Sequence, residues 1–103
     1  MNPREAMFRK MVADFPDSAM AHFSLGGYYV ETRQWAEAIA SLGEATRLQA
    51  DYAAAWIALG DARGASGDAG KAREAYGKAR TAAVAQGHSG LAEEIDRKVA
   101  QLG

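Results

Sequence analysis

Apolar and small residues recur with helical spacing along most of the chain. One segment carries a full set of them: Trp35, Ala38, Ile39, Leu42, Ala45 and Leu48. This spacing puts the side chains on one face of an α-helix. Strand-forming residues are few and never alternate with polar residues over a useful length. The pattern therefore predicts an all-α protein.

Residues that cap helix N-termini stand before the predicted helices. Asn2 is followed by Pro3 and, three residues after the Asn, by Glu5, a combination typical of a first helical turn. Later segments offer capping side chains at Asp17 or Ser18, at Asp51 and at Asp68. Together with the polar breaks between them, these positions predict helices over about 18–31, 35–48, 51–65 and 69–83.

The sequence repeats itself with a fixed period. When 17–50 is aligned with 51–84, eight of the aligned pairs are identical, and nearly all of these are small or apolar: Asp17/Asp51, Ala19/Ala53, Ala21/Ala55, Leu25/Leu59, Gly26/Gly60, Ala38/Ala72, Gly43/Gly77 and Ala45/Ala79. A fixed period of this length is typical of stacked repeats. We predict two successive units, each made of two helices.

Both ends of the chain fit the same frame. Phe8 falls one period before Leu42, so the first helix is predicted to be the second half of a further unit. The last segment has one apolar face, formed by Leu91, Ile95, Val99 and Leu102, as a closing helix needs. We predict one domain over 1–103, with a half-repeat helix at 3–15, repeats at 18–50 and 52–85, and a capping helix at 89–102.

The units resemble the tetratricopeptide repeat, whose pattern is Trp-x₂-Leu-Gly-x₂-Tyr, then Ala-x₃-Phe, then Pro. The second unit matches this pattern at Trp56, Leu59, Gly60, Ala72 and Tyr76, and the first at Leu25, Gly26, Tyr29, Ala38 and Leu42. His22 replaces the first aromatic residue, Arg63 replaces the Tyr, and both units lack the final Pro. The resemblance implies a short right-handed α-solenoid of about six helices, arranged as antiparallel pairs.

Two repeated glycines lie inside predicted helices, where Gly costs about 1 kcal/mol relative to Ala. Gly26 and Gly60 are therefore expected where the two helices of a unit cross, so that the backbones approach closely. Ala38 and Ala72 are expected on the opposing surface. Gly43 and Gly77 also repeat, but no physical reason for that pair follows from the sequence.

Charge and cysteine content narrow the function classes. The chain has 12 Lys and Arg, 13 Asp and Glu and a net charge of −1. It has no block of basic residues of the kind that binds nucleic acid or an anionic membrane, so neither is expected as a partner. The absence of Cys excludes disulfides and thiolate metal sites. Neither a signal peptide nor a long apolar run stands out. We expect a soluble, cytoplasmic protein.

Candidates for chemistry are weak. His22 and His88 are far apart in sequence and have no carboxylate at metal-ligand spacing, and no serine has a nearby base. Segment 64–72 lacks the glycine and Ser/Thr positions of a phosphate-binding loop. The acidic residues at the C-terminal end fit a solvated helix face. We predict no catalytic residue, no metal and no cofactor, and hence no enzyme.

The resemblance further implies a concave groove lined by the first helix of each unit. Its register places ten residues there: Met20, Phe23, Ser24, Gly27, Val30, Glu31, Ala54, Ile57, Ala58 and Asp61. Members of the family that clamp a C-terminal carboxylate use Lys, Arg and Asn at such positions. Because Phe23, Gly27 and Ala58 stand there instead, we expect an apolar groove without that clamp.

Two functions follow as hypotheses. The first is a protein–protein interaction module, a scaffold that binds an apolar peptide or helix in the groove. The alternative is a structural unit that self-associates as a homo-oligomer through the groove or through Met7, Met11 and Phe15. A further alternative concerns the groove itself: the closing helix covers part of the second unit, with Leu91 or Ile95 packed on Ile57.

Overall fold

The structure, a computed structural model, describes residues 2–102 as six α-helices and no strand. The helices are α1 Pro3–Asp14, α2 Ala19–Glu31, α3 Trp35–Leu48, α4 Ala53–Ala65, α5 Ala69–Ala85 and α6 Ser89–Gln101. Each helix packs against the next one along the chain, and α2 also contacts α4. This arrangement confirms the predicted all-α solenoid of helix pairs. The predicted division into one half-repeat, two repeats and a cap stays a prediction.

Three of the predicted helix caps are present. The side chains of Asn2, Ser18 and Asp68 each accept a hydrogen bond from the backbone N–H three residues further on, at 2.9, 3.2 and 3.0 Å. A cap of this kind satisfies a backbone donor that has no partner within the helix. Helices α1, α2 and α5 therefore start where their capping residues predict.

The predicted cap at Asp51 is wrong. α4 begins after Tyr52, and no side chain caps it. Because Asp51 lies one position too early, its side chain cannot take the cap position; its carbonyl instead accepts a hydrogen bond of 2.8 Å from the Gln86 side chain. The loop before α4 is thus tied to the end of α5.

Gly26 and Gly60 occupy close helix crossings, as predicted, but the opposing residues differ from the prediction. A Cβ placed on Gly26 would lie 2.6 Å from the Leu42 side chain, and one on Gly60 would lie 2.5 Å from the Tyr76 ring. The expected partners, Ala38 and Ala72, are fully buried one turn earlier on the same helices. The crossing therefore falls one turn further along α3 and α5.

The core consists of two buried clusters that share one aromatic residue. The first lies among α2, α3, α4 and α5: Leu25, Tyr28, Tyr29, Ala38, Leu42, Leu59, Ala62 and Ala75. The second joins α5 to α6: Ala72, Tyr76, Ala79, Ala83 and Ile95. Trp56 packs against both. The core is therefore continuous from the first repeat to α6.

Candidate binding surface

The ten predicted groove residues lie on two helices that contact each other. Six are on α2 and four are on α4. Phe23 of α2 also packs against Tyr52, just before α4, with ring centroids 5.0 Å apart. We call these ten residues the α2–α4 face. Their joint role as one groove remains a prediction.

Two uncharged positions on α2, Met20 and Gly27, have open space beside them. Met20 is 64% exposed, and a Cβ on Gly27 would meet no other atom within 4 Å. Phe23 and Val30 are half-buried against the first core cluster, and Ser24 is half-buried as well. A ligand on this helix would therefore touch Met20 and the backbone at Gly27 before it touched the side chains that support the core.

Glu31, at the end of α2, is already engaged by α1. Its carboxylate accepts a hydrogen bond of 2.9 Å from the Arg4 guanidinium, and both side chains are exposed. That hydrogen bond and the charge of Arg4 lower the pKa of Glu31. The same guanidinium lies 5.4 Å from the centre of the Tyr28 ring. Glu31 thus belongs to the α1–α2 contact. To act as a groove residue as well, its carboxylate would have to bind Arg4 and a ligand at the same time.

The four residues on α4 range from open to engaged. Ala54 is exposed, and Ala58 is half-buried against the first core cluster. Ile57 packs, together with Leu91, against the cluster that contains Ile95. This placement is the one expected if α6 covers part of the second repeat's surface. On α4, Ala54 is consequently the most open of the predicted apolar positions.

Asp61 forms a polar link among three helices. Its Oδ1 accepts hydrogen bonds from the Tyr76 hydroxyl at 2.5 Å and from Lys98 Nζ at 3.1 Å. Burial raises the pKa of Tyr76 well above its usual range, and the hydrogen bond to Asp61 adds to the effect. A depression of about 260 Å³ is lined by these three residues and by Gly64, Ala65, Gln101 and Leu102. Asp61 therefore joins α4 to α5 and α6.

Sequence reasoning missed this link because its members are 15 and 37 residues apart. The period of the repeat places Tyr76 and Asp61 on helices, but it says nothing about which side-chain oxygen a hydroxyl reaches. The signal present in the sequence was that Asp61 replaces Gly27 of the first repeat. A charge at a position that is Gly in the other repeat calls for a partner nearby.

Sequence reasoning also missed a cavity of about 190 Å³, which is lined by other residues of α4. It lies between α4 and α5 and is lined by Trp56, Leu59, Arg63, Lys71, Glu74, Ala75 and Lys78. In the sequence, this place is indicated by Arg63, which stands where the repeat pattern has Tyr. None of the lining residues belongs to the α2–α4 face.

Among the remaining candidates for chemistry, His22 has a structural role. His22 Nε2 lies 2.9 Å from the Pro16 carbonyl oxygen, which ties α2 to the loop before it. Within residues 2–102, no three His, Cys, Asp or Glu side chains are grouped so that they could hold a metal ion. Over the same residues, no helix is both long and apolar enough to cross a bilayer.

No protein-family profile and no curated protein matches this sequence, but solved structures do. The TPR2B domain of yeast Sti1, solved as a complex with pHsp70, superimposes with a TM-score of 0.90 at 21% identity, over 95% of this chain and 78% of that one. Protein BPP2914 from Bordetella parapertussis, a solution structure, superimposes with a TM-score of 0.83 at 27% identity, over 99% and 89% of the two chains. The fold is shared with both.

Proposed function

We propose that this chain, which has a tetratricopeptide-like fold, is a protein–protein interaction module whose α2–α4 face binds an apolar peptide or helix. The observation that carries the proposal is the contact between α2 and α4 together with the open positions along both helices: Met20, Gly27 and Ala54. Contact between the first helices of successive repeats forms a continuous surface, which is how repeat proteins build extended binding sites.

The chemistry of the face favours a neutral, apolar ligand. Glu31 is paired with Arg4, and Asp61 is hydrogen-bonded to Tyr76 and Lys98. Both charges of the face are therefore already compensated, and affinity would come from burying apolar area, at about 25 cal/mol per Å². The absent side chain at Gly27 would let a ligand side chain approach the backbone of α2.

One of the two neighbouring structures supports the ligand class. The TPR2B domain of Sti1 was solved as a complex with pHsp70, so a protein segment is the ligand we propose by analogy for this chain. The fold is that of a non-catalytic interaction scaffold, and we therefore propose binding without catalysis. The cytoplasmic location predicted above stays a prediction.

Filling the face without disturbing the core tests the proposal. Gly27→Leu places a large side chain where a Cβ would meet no atom within 4 Å, and leaving Gly for Leu within a helix stabilises it by about 1 kcal/mol. Gly43→Leu is the matched control, because Gly43 is a helical glycine of the same repeat and is equally open. Tagged wild type and both variants would be used to capture proteins from native cell extract.

A partner retained by wild type and by Gly43→Leu, and lost from Gly27→Leu, would support binding on the α2–α4 face. Equal recovery by all three proteins would place the binding surface elsewhere. Met20→Asp gives an independent check, since this side chain is 64% exposed and an added charge should repel an apolar ligand without cost to the fold.

The second candidate function is weak self-association through α1. This helix buries no residue, and Met7 and Phe15 are 53% and 64% exposed. Light scattering over a concentration series would show a mass rising above 10.9 kDa in wild type and constant in the double variant Met7→Glu, Phe15→Glu. A constant single-chain mass for wild type would remove this candidate.

A further inference from the structure

The cavity between α4 and α5 carries an excess of positive charge. Arg63, Lys71 and Lys78 line it together with a single carboxylate, Glu74, which gives a formal charge of +2. Asp68 caps the start of α5 and does not line the cavity. The walls are otherwise apolar or aromatic, whereas Lys71, Glu74 and Lys78 are exposed to solvent.

The two repeats differ at several of the positions that line this cavity. In the first repeat, Tyr29 is 3% exposed and fills the core; Arg63 stands one period later in its place. The positions of Lys71 and Lys78 are Glu37 and Glu44 in the first repeat. The second repeat has therefore lost an aromatic side chain and reversed two charges around the same space.

Among residues 2–102, the three cations of the cavity form no salt bridge. Over the described residues, no carboxylate lies within 4.0 Å of Arg63, Lys71 or Lys78, whereas six other Lys and Arg side chains each form a salt bridge. Glu74 lines the same cavity but stays beyond that distance from all three. Lys78 Nζ instead lies over the Trp56 ring, 5.8 Å from its centroid.

We propose that this cavity binds a single phosphoryl group. Its volume of about 190 Å³ is below the roughly 300–1,000 Å³ of pockets that hold drug-sized ligands, so it suits one small ion or one terminal group. A phosphate dianion matches the charge of +2. The Arg63 guanidinium offers forked donors and the two lysines offer mobile point charges, which are the side chains that recognise phosphate in proteins.

The indole N–H of Trp56 provides a reporter at the cavity wall. It donates a hydrogen bond of 2.8 Å to the Ala50 carbonyl, and its ring is part of the wall. Inorganic phosphate would be titrated into ¹⁵N-labelled protein at constant ionic strength, held with chloride. The Trp56 indole signal is expected to shift and saturate, while that of Trp35, which is not part of the cavity wall, serves as the internal control. A shift without saturation would overturn the proposal.

Two double variants distinguish a specific phosphate site from general attraction of phosphate to positive charge on the surface. Lys71→Gln with Lys78→Gln is expected to weaken phosphate binding about tenfold or more, because both lysines would lose a charge-assisted hydrogen bond to the phosphate. Arg33→Gln with Arg97→Gln removes the same charge from exposed residues elsewhere and should leave binding unchanged. Equal weakening in both double variants would show an adventitious ion only and would overturn the proposal.

Two further arms identify the source of the group. A peptide containing phosphoserine that binds more tightly than free phosphate would support a phosphoprotein ligand, and equal affinity would support free phosphate. Acetate binding as tightly as phosphate would overturn the assignment to a phosphoryl group. Gly27→Leu should bind phosphate as wild type does, so this proposal stands or fails independently of the α2–α4 face.

Discussion

The first and second repeats bring their helices together at the same place with different side chains. In the first repeat, Gly26 admits Leu42; in the second, Gly60 admits the ring of Tyr76. The missing Cβ is common to both, while the group that fills the space changes in size and polarity. Backbone approach is thus the shared requirement of the fold, and the filling group is free to vary with the surroundings of each repeat.

The surroundings explain the difference. Leu42 is fully buried in an apolar cluster, where a hydroxyl would lack a partner. The Tyr76 hydroxyl reaches Asp61, which Lys98 of α6 also binds. On the other side of the molecule, Tyr28 of the first repeat receives a hydrogen bond from Asn2, just before α1. Each repeat therefore directs a tyrosine hydroxyl toward its own outer neighbour.

Substituting the crossing glycines should produce the largest effect of the comparison. Gly26→Ala and Gly60→Ala each place a Cβ within about 2.6 Å of a buried side chain, and overpacking of this kind costs about 1–3 kcal/mol. The gain in helix propensity, about 1 kcal/mol, offsets only part of it. We expect both variants to unfold at lower urea concentration than wild type, with a loss of up to about 2 kcal/mol.

The other repeated pair supplies the control. A Cβ on Gly43 or Gly77 would meet nothing within 4 Å, so Gly43→Ala and Gly77→Ala should each stabilise the protein by about 1 kcal/mol through helix propensity alone. Destabilisation by all four substitutions would mean that the close crossing is not what distinguishes Gly26 and Gly60.

Removing the Tyr76 hydroxyl tests how much its hydrogen bond to Asp61, which Leu42 of the first repeat cannot make, contributes to stability. Tyr76→Phe leaves Asp61 bound by Lys98 alone and should cost about 1 kcal/mol at neutral pH. The folded protein raises the pKa of Tyr76 above its usual 10.0, mainly by burial and then through Asp61. The stability that this shift contributes is present below pH 10 and is lost as pH rises above it, because the unfolded chain ionises first.

Urea unfolding at pH 8 and at pH 10.5 would measure this effect. The pKa values of Tyr29 and Tyr52 are also raised, so both proteins should lose stability in alkali. Wild type should lose more of it than Tyr76→Phe. Identical losses would contradict the role assigned to the buried hydroxyl.

Much of the fold could be predicted from the sequence because its determinants are local. Helical spacing, capping side chains and the repeat period specify which segments are helices and which neighbours they meet. The tetratricopeptide-like fold expected from them is confirmed by the similarity to the TPR2B domain of Sti1. Even the close approach at Gly26 and Gly60 follows from the cost of Gly in a helix.

Features that depend on the position along the axis of a neighbouring helix could not be predicted. Spacing identifies the face of α3 that meets α2, but Ala38 and Leu42 share that face, and the crossing falls at Leu42. The same limit applies to the candidate site. Whether Ile57 contacts a ligand or the closing helix depends on where α6 docks, which no residue of α4 specifies.

The two repeats differ least in the turn between their two helices, and this turn allows the most closely matched test. Arg33 and Gly67 stand one period apart, and both have positive φ, of 58° and 95°. In each turn this residue donates its N–H to a carbonyl three residues back, and the next residue donates to one five back, the arrangement that favours Gly at a helix end. The left-handed conformation costs a non-glycine residue about 1–2 kcal/mol.

Arg33→Gly should therefore stabilise the protein by about 0.5 kcal/mol, since the relief of strain exceeds the added entropy of the unfolded chain only modestly. Gly67→Ala should do the opposite, at about 1 kcal/mol. Arg33→Ala keeps the strain while removing the side chain, so it should leave stability within a few tenths of wild type. Chemical denaturation of the three variants would resolve these steps. If Arg33→Ala stabilises as much as Arg33→Gly, the gain comes from losing a side chain, and the backbone of the two turns would be equally relaxed.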